Sequence, residues 1–271
     1  MKVKELLLFV SKDIDEYNAK LLLSTMLNVS ILELGLNKDN VVNKEVVDKY
    51  LEKIQEIKDG MPIQYVIGDV NFCGNIFKVN KNVLIPRFET EELVENTLLL
   101  VKEYFDYSVD IIDLGCGSGC IGLSLKKSLA SANVTLLDIS DDALEVAKDN
   151  AKALSCNVNF IQSDMWNNVD EKYDVIVSNP PYIKTSEEIE DIVKNNEPHL
   201  ALFAGSDGLD CYRKIREGLL SHVKDKFLLA LEIGDMQKDD VINLFSDIPN
   251  IDITSKRDMQ GRDRMVFIIR K

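Results

Sequence analysis

The chain has 271 residues, 45% of them hydrophobic and 29% charged, the composition of an ordinary globular protein with one large or two modest domains. A formal net charge of −14 leaves no overall basic footprint, which counts against a protein that gains its affinity by gripping a phosphate backbone. Charges break every apolar run well before bilayer length, and Met1-Lys2-Val3-Lys4-Glu5 leads into a run with no small-residue cleavage site, so no membrane segment is expected and the cytoplasm is the expected location.

Residues 1 to 60 carry apolar positions at helical spacing: Leu6, Leu7 and Val10, then Leu21, Leu22 and Met26, then Val46, Val47, Tyr50, Leu51 and Ile54. Three or more short helices are predicted, with Asp15 and Asn43 as N-caps and Gly60 followed by Pro62 closing the last. No catalytic constellation falls in this stretch. It serves either to position a macromolecular partner or as a packing appendage.

From residue 61 to 86 the pattern shortens. Ile63-Gln64-Tyr65-Val66-Ile67-Gly68 and Asn75-Ile76-Phe77-Lys78-Val79 read as strands of a hairpin linking two domains. Leu84-Ile85-Pro86-Arg87-Phe88-Glu89-Thr90-Glu91-Glu92 follows. Thr90 is predicted to cap a helix whose first turn holds Glu91 and Glu92, whereas Arg87 has no such structural excuse.

The stretch 87–271 then alternates strands and helices. Asp110-Ile111-Ile112-Asp113-Leu114-Gly115-Cys116-Gly117-Ser118-Gly119-Cys120 is a strand entering a glycine-rich turn and a helix, where backbone approaches a ligand closely. With Gly122, the turn fits a dinucleotide fingerprint and does not by itself separate NAD from S-adenosylmethionine. Asp138, ending the strand Asn133–Asp138 about twenty residues on, stands where an acid binds ribose hydroxyls. A third strand, Val158–Gln162, leads to Ser163-Asp164-Met165-Trp166, a carboxylate for an adenine amino group beside apolar walls. The fourth, Asp174–Ser178, stops abruptly at Asn179-Pro180-Pro181-Tyr182. There the Asn179 side-chain carbonyl and the Pro180 carbonyl form two acceptors suited to one planar NH₂ group, and Tyr182 offers a ring face. Leu209–Val223 reads as a helix, Lys226–Gly234 as a strand, Gln237–Phe245 as a helix, and strands near 251–253 and 264–269 complete the sheet. Five cysteines without Cys-x-x-Cys spacing and only two histidines make no zinc set, so reduced structural thiols and no metal are expected.

Together these motifs resemble class I S-adenosylmethionine-dependent methyltransferases of the amino-methylating kind. Further strings narrow the likeness: Met61-Pro62-Ile63-Gln64-Tyr65-Val66-Ile67-Gly68, Leu84-Ile85-Pro86-Arg87, Glu197-Pro198-His199-Leu200-Ala201-Leu202, Gly205-Ser206-Asp207-Gly208-Leu209-Asp210 and Gly261-Arg262-Asp263-Arg264. They resemble the bacterial peptide-chain release factor glutamine N5-methyltransferases, closely from about residue 60 onward and in character before it. The resemblance implies an α/β fold, a Rossmann-like seven-stranded class I methyltransferase domain (87–271) with a small N-terminal helical substrate-recognition domain (1–60) joined by a β-hairpin linker (61–86). It implies S-adenosylmethionine as cofactor, S-adenosylhomocysteine as product, and as substrate the glutamine of the Gly-Gly-Gln motif in class 1 release factors, tuning translation termination; a monomer that binds no nucleic acid directly is expected. By the same resemblance Gly115, Gly117 and Gly119 border the cofactor's methionine part with Asp113 at the strand end, Cys116 and Ser118 of the same turn also bind the cofactor, Asp138 holds its ribose, and Asp164 with Met165 or Trp166 surrounds the adenine. Asn179, Pro180, Pro181 and Tyr182 hold the glutamine amide, with Asn179 also facing the cofactor and Arg87 and Thr90 near the substrate entrance. Phe88 and Cys116 depart from the family's usual Pro and Thr without removing a catalytic group.

The chemistry expected is direct in-line methyl transfer, with Asn179 and the Pro180 carbonyl accepting both amide hydrogens and aiming the nitrogen lone pair. Three rival readings stay open: a DNA adenine N6-methyltransferase, which faces an equally planar NH₂; a non-catalytic cofactor-binding or release-factor-docking protein; and an NAD-dependent oxidoreductase.

Overall fold

The computed structural model describes residues 1–106 and 108–271, which fall into two compact units: 1–69 with 190–196, and 70–189 with 197–271. The first unit is helical: α1 (Val3–Val10), α2 (Glu16–Leu27), α3 (Ile31–Leu36), α4 (Lys44–Lys58) and α5 (Ile63–Ile67), with the short later helix Asp191–Asn196. Asp15 caps α2 by accepting from the Asn18 N–H at 2.9 Å, and Asn43 caps α4 by accepting from Glu45 at 3.0 Å. The helical spacing buries Leu6, Leu22, Leu23 and Tyr50 in one core, where the Tyr50 hydroxyl donates to the Ala19 carbonyl at 3.0 Å.

The expected strand at 63–68 is instead α5. Pro62 starts it, Ile63 and Val66 point inward one helical turn apart, and Gly68 ends it at φ +94°. The hairpin lies just beyond: β1 (Asp69–Phe72) and β2 (Asn75–Lys78), joined by Cys73 and Gly74, both at positive φ as a two-residue hairpin turn requires. A short apolar run has no periodicity that separates strand from helix, and here tertiary burial decided.

The second unit is a seven-stranded sheet in the order β5-β4-β3-β6-β7-β9-β8. Its strands are β3 (Asp110–Leu114), β4 (Asn133–Asp138), β5 (Asn159–Gln162), β6 (Tyr173–Ser178), β7 (Val223–Glu232), β8 (Asp252–Arg257) and β9 (Asp263–Arg270); β9 runs antiparallel to both its neighbours, β7 and β8. The inner strands read as continuous apolar runs because both faces are covered. Ile111, Val175, Val177 and Phe267 face α6 (Phe88–Tyr104), α7 (Cys120–Ser128) and α8 (Asp141–Ala153). The alternate residues Ile112, Ile176, Leu229 and Ile268 face the other side. With the helix Asp191–Asn196 counted as α9, that side is covered by α10 (Asp210–His222) and α11 (Lys238–Phe245).

The order reverses between β3 and β6, so a crevice opens outside their carboxyl ends. There the Ser178 hydroxyl donates to the Leu114 carbonyl at 2.6 Å, fixing the two strand ends side by side. Asn150 of α8, fully buried, fixes the loops around them: its Nδ2 donates to the carbonyls of Lys78 (3.0 Å) and Ser118 (2.9 Å), and its Oδ1 accepts from the Lys78 N–H at 2.7 Å. Asn150→Ala strands three backbone groups, and a loss of about 3 kcal/mol is expected in urea denaturation. A loss below about 0.5 kcal/mol would show that water replaces the amide.

Candidate active site

The crevice forms a cavity of about 350 Å³ in the second unit. Its floor is the turn after β3. Gly115 at φ +71° and Gly117 at φ +53° both line it, and a Cβ built on either would enter space free of any atom within 4 Å, so backbone is open to a ligand where a side chain would stand. Asp138 at the end of β4 also lines it; burial raises its carboxyl above the ordinary range. One oxygen accepts the Gly117 N–H at 2.8 Å and the other the Ser140 N–H at 2.9 Å, leaving a lone pair on each for the hydroxyls of a ribose. This donor and acceptor set fits a nucleoside cofactor.

Asp113 lies beneath that floor and does not line the cavity. It is fully buried and accepts the Gly122 N–H at 2.8 Å through one oxygen; the other has no hydrogen-bond partner among the described residues, and burial pushes its carboxyl up to about 7. Cys116 and Ser118 line the cavity, and Gly119 lies behind it, where it begins α7. All five cysteines are free thiols.

Asp164 and Met165 reach the wall, but Trp166 does not. The 3-10 turn Met165–Asn168 sends its indole into the core, where the N–H donates to the Ile215 carbonyl at 3.1 Å and the ring stacks on His222 at 4.7 Å. Of the two side chains expected beside Asp164 at the adenine, Met165 lines the cavity and Trp166 does not: chain adjacency to Asp164 does not make it a cavity neighbour. Asp164 is itself clasped by Lys214 at 2.8 and 2.9 Å.

At the other end, Asn179 and Pro181 line the cavity, while Pro180 is buried behind them and Tyr182 is half-buried outside the lining. Burial pushes the Tyr182 phenol up to about 12. The turn is braced by Gln237, whose Nε2 donates to the Tyr182 carbonyl at 3.0 Å and the Gly208 carbonyl at 3.2 Å, while its Oε1 accepts the Gly234 N–H at 3.1 Å. Arg87 lines the cavity, held by an ion pair to the buried Glu197 at 2.5 Å; Glu197 also accepts the Ile85 N–H at 3.1 Å.

Thr90 is not a helix cap. Helix α6 begins two residues earlier, at Phe88, so Thr90 is inside its first turn, buried, with its hydroxyl donating to Glu232 at 2.7 Å. Its oxygen accepts from Asn179 Nδ2 at 3.2 Å. Glu197, Glu232 and Gln237 were missed from sequence. The strings Glu197–Leu202 and Gly205–Asp210 were visible, but what they brace was not.

The methyltransferase small domain family matches residues 87–201, and the PrmC N-terminal domain family matches residues 5–68. A release factor glutamine methyltransferase of Bacillus cereus is 38% identical over 260 residues, covering 93% of this chain and 92% of that one. One from Streptococcus pneumoniae is 40% identical over 245 residues, covering 89% and 87%. Among solved structures, a methyltransferase from Pyrococcus furiosus shares the fold alone, with TM-score 0.52 and 16% identity over 71% of this chain and 87% of that one. With such identity across most of its length and both family domains in place, the chain belongs to the release factor glutamine methyltransferases.

Proposed function

We propose that this protein methylates the side-chain amide nitrogen of the glutamine in the Gly-Gly-Gln motif of a class 1 peptide-chain release factor, using S-adenosylmethionine. One observation carries the reading: Asn179 gives its NH₂ to Thr90, so its carbonyl oxygen is the end left for a ligand in the cavity. That oxygen accepts one hydrogen of a planar amide, and the carbonyl of Pro180, a residue buried behind the lining beside Asn179, is assigned the other, so that the nitrogen lone pair turns into the cavity. Gly115, Gly117 and Asp138 hold the cofactor, which supplies a methyl group activated by its sulfonium. Tyr182, a neutral phenol at ordinary pH, is no base, and the surplus proton leaves to water after transfer.

The substrate in this reading is a protein and not a nucleic acid, and the enzyme works as a cytoplasmic monomer. The test is transfer of labelled methyl to a purified release factor, beside its Gln→Ala variant and unmethylated duplex DNA. Label on the wild-type factor alone is expected. Label on DNA, or on both factors equally, would overturn the assignment.

A further inference from the structure

Glu232 touches neither cavity nor solvent, yet it is charged chemistry placed two hydrogen bonds from the acceptor turn. It ends β7, only 1% exposed, with Leu231 paired to Ser178 of β6 and Glu232 itself paired to Met265 of β9. The order of donors is what matters. A threonine hydroxyl has one proton. Because Thr90 gives it to Glu232 at 2.7 Å, its oxygen can only accept from Asn179, and at 3.2 Å it takes the NH₂ end of that amide.

Resting on the reading of Asn179 as the amide acceptor, we infer that Glu232 is a positioning residue: acting through Thr90, its carboxylate fixes which end of the Asn179 amide faces the substrate. A protonated Glu232 can instead donate to Thr90. The hydroxyl proton is then free to turn to the Asn179 carbonyl, the amide rotates, and an NH₂ group confronts the substrate NH₂. Two donors then face each other and the acceptor site is lost.

The surroundings set this switch in an accessible range. Burial pushes the Glu232 carboxyl up to about 7, against the Thr90 hydrogen bond and the Arg264 charge, which favour the ionised form. Glu89 from α6 adds a raising influence and Arg87, just before it, a lowering one. From α10 the Tyr212 hydroxyl faces the same residue, donating to its backbone carbonyl at 2.9 Å, and the Tyr182 phenol is nearby and neutral. The sign follows directly: below about pH 7 the carboxyl is protonated and the productive arrangement is lost, and above it the arrangement is complete.

The test compares wild type, Thr90→Val, Thr90→Ser and Glu232→Gln for kcat and KM toward a release factor across pH, with S-adenosylhomocysteine affinity measured on each. Wild-type kcat is expected to rise about tenfold per pH unit on the acid limb below about pH 7 and to level off above it. Thr90→Val should lose about tenfold or more in kcat with cofactor affinity unchanged, Thr90→Ser should recover most of that loss, and Glu232→Gln should lack the acid limb. Thr90→Val with wild-type kcat, or Glu232→Gln with the wild-type acid limb, overturns the relay. If Glu232→Gln fails to bind S-adenosylhomocysteine, the two Thr90 variants decide. A wild type that methylates no release factor overturns the functional reading itself; normal wild-type transfer beside unaffected variants overturns the relay alone.

Discussion

Replacing Asn179 with alanine is expected to lower kcat by about 10²- to 10³-fold while cofactor affinity stays within about twofold. The reason is geometric. An amide nitrogen is a poor nucleophile because its lone pair is delocalised, and in the proposed function the turn helps it by holding both hydrogens so that the lone pair faces the methyl group. In the proposed reading Asn179 supplies one of the two acceptors, and the rigid Pro180-Pro181 pair fixes where it stands. Alanine keeps the strand end, since Ser178 still holds β6 to β3, so the loss falls on transfer and not on folding. Labelled-methyl kinetics with a release factor, beside calorimetric titration of S-adenosylhomocysteine, separates the two. Wild-type kcat in this variant would remove Asn179 from the chemistry.

The second large effect is expected at a residue outside the cavity lining. Gly208 has φ +76°, and a Cβ there would stand 2.3 Å from the backbone oxygen of Tyr182 and 2.6 Å from Gln237 Nε2. Both belong to the junction that braces the acceptor turn, and a backbone oxygen cannot swing aside as a side-chain tip can. Gly208→Ala therefore adds left-handed strain of about 1–2 kcal/mol to overpacking of about 1–3 kcal/mol. A stability loss of about 2–5 kcal/mol in denaturant titration is expected, together with a fall in kcat as the Tyr182 carbonyl is displaced. Unchanged stability would show that the turn gives way freely, and would undo the claim that Gln237 and Gly208 hold it.

These two residues differ in how well the sequence announced them. Asn179 was legible because a strand buried on both faces has to be apolar, so the first polar residue after it marks the edge where ligands bind. Gly115 and Asp138 stood out by the same reasoning. Gly208 belonged to a string that could be matched but not explained, because the carbonyl it avoids lies in a different loop. Thr90 shows the limit more sharply. Its neighbours Glu91 and Glu92 argue for a cap, and only the fold brings it to Glu232, 142 residues away. Glu197 likewise meets Ile85 across 112 residues. Trp166 failed in the opposite sense, since adjacency in the chain suggested a shared task that the 3-10 turn undoes. Short-range chemistry is written locally; the partners that orient it are not.

The placement of β9 governs how the protein can be made. It lies between β7 and β8, and among the described residues β8 has no other neighbour in the sheet. A ribosome releases β7, ending at Glu232, before β9, beginning at Asp263, so until β9 emerges β7 carries an open, apolar edge and β8 has no strand to pair with. Pairing Phe227–Glu232 with Met265–Arg270 must wait for the whole intervening chain. The sheet can thus close only after β9 follows β7 out of the ribosome, and an apolar strand edge left open for that interval is a site for wrong pairing.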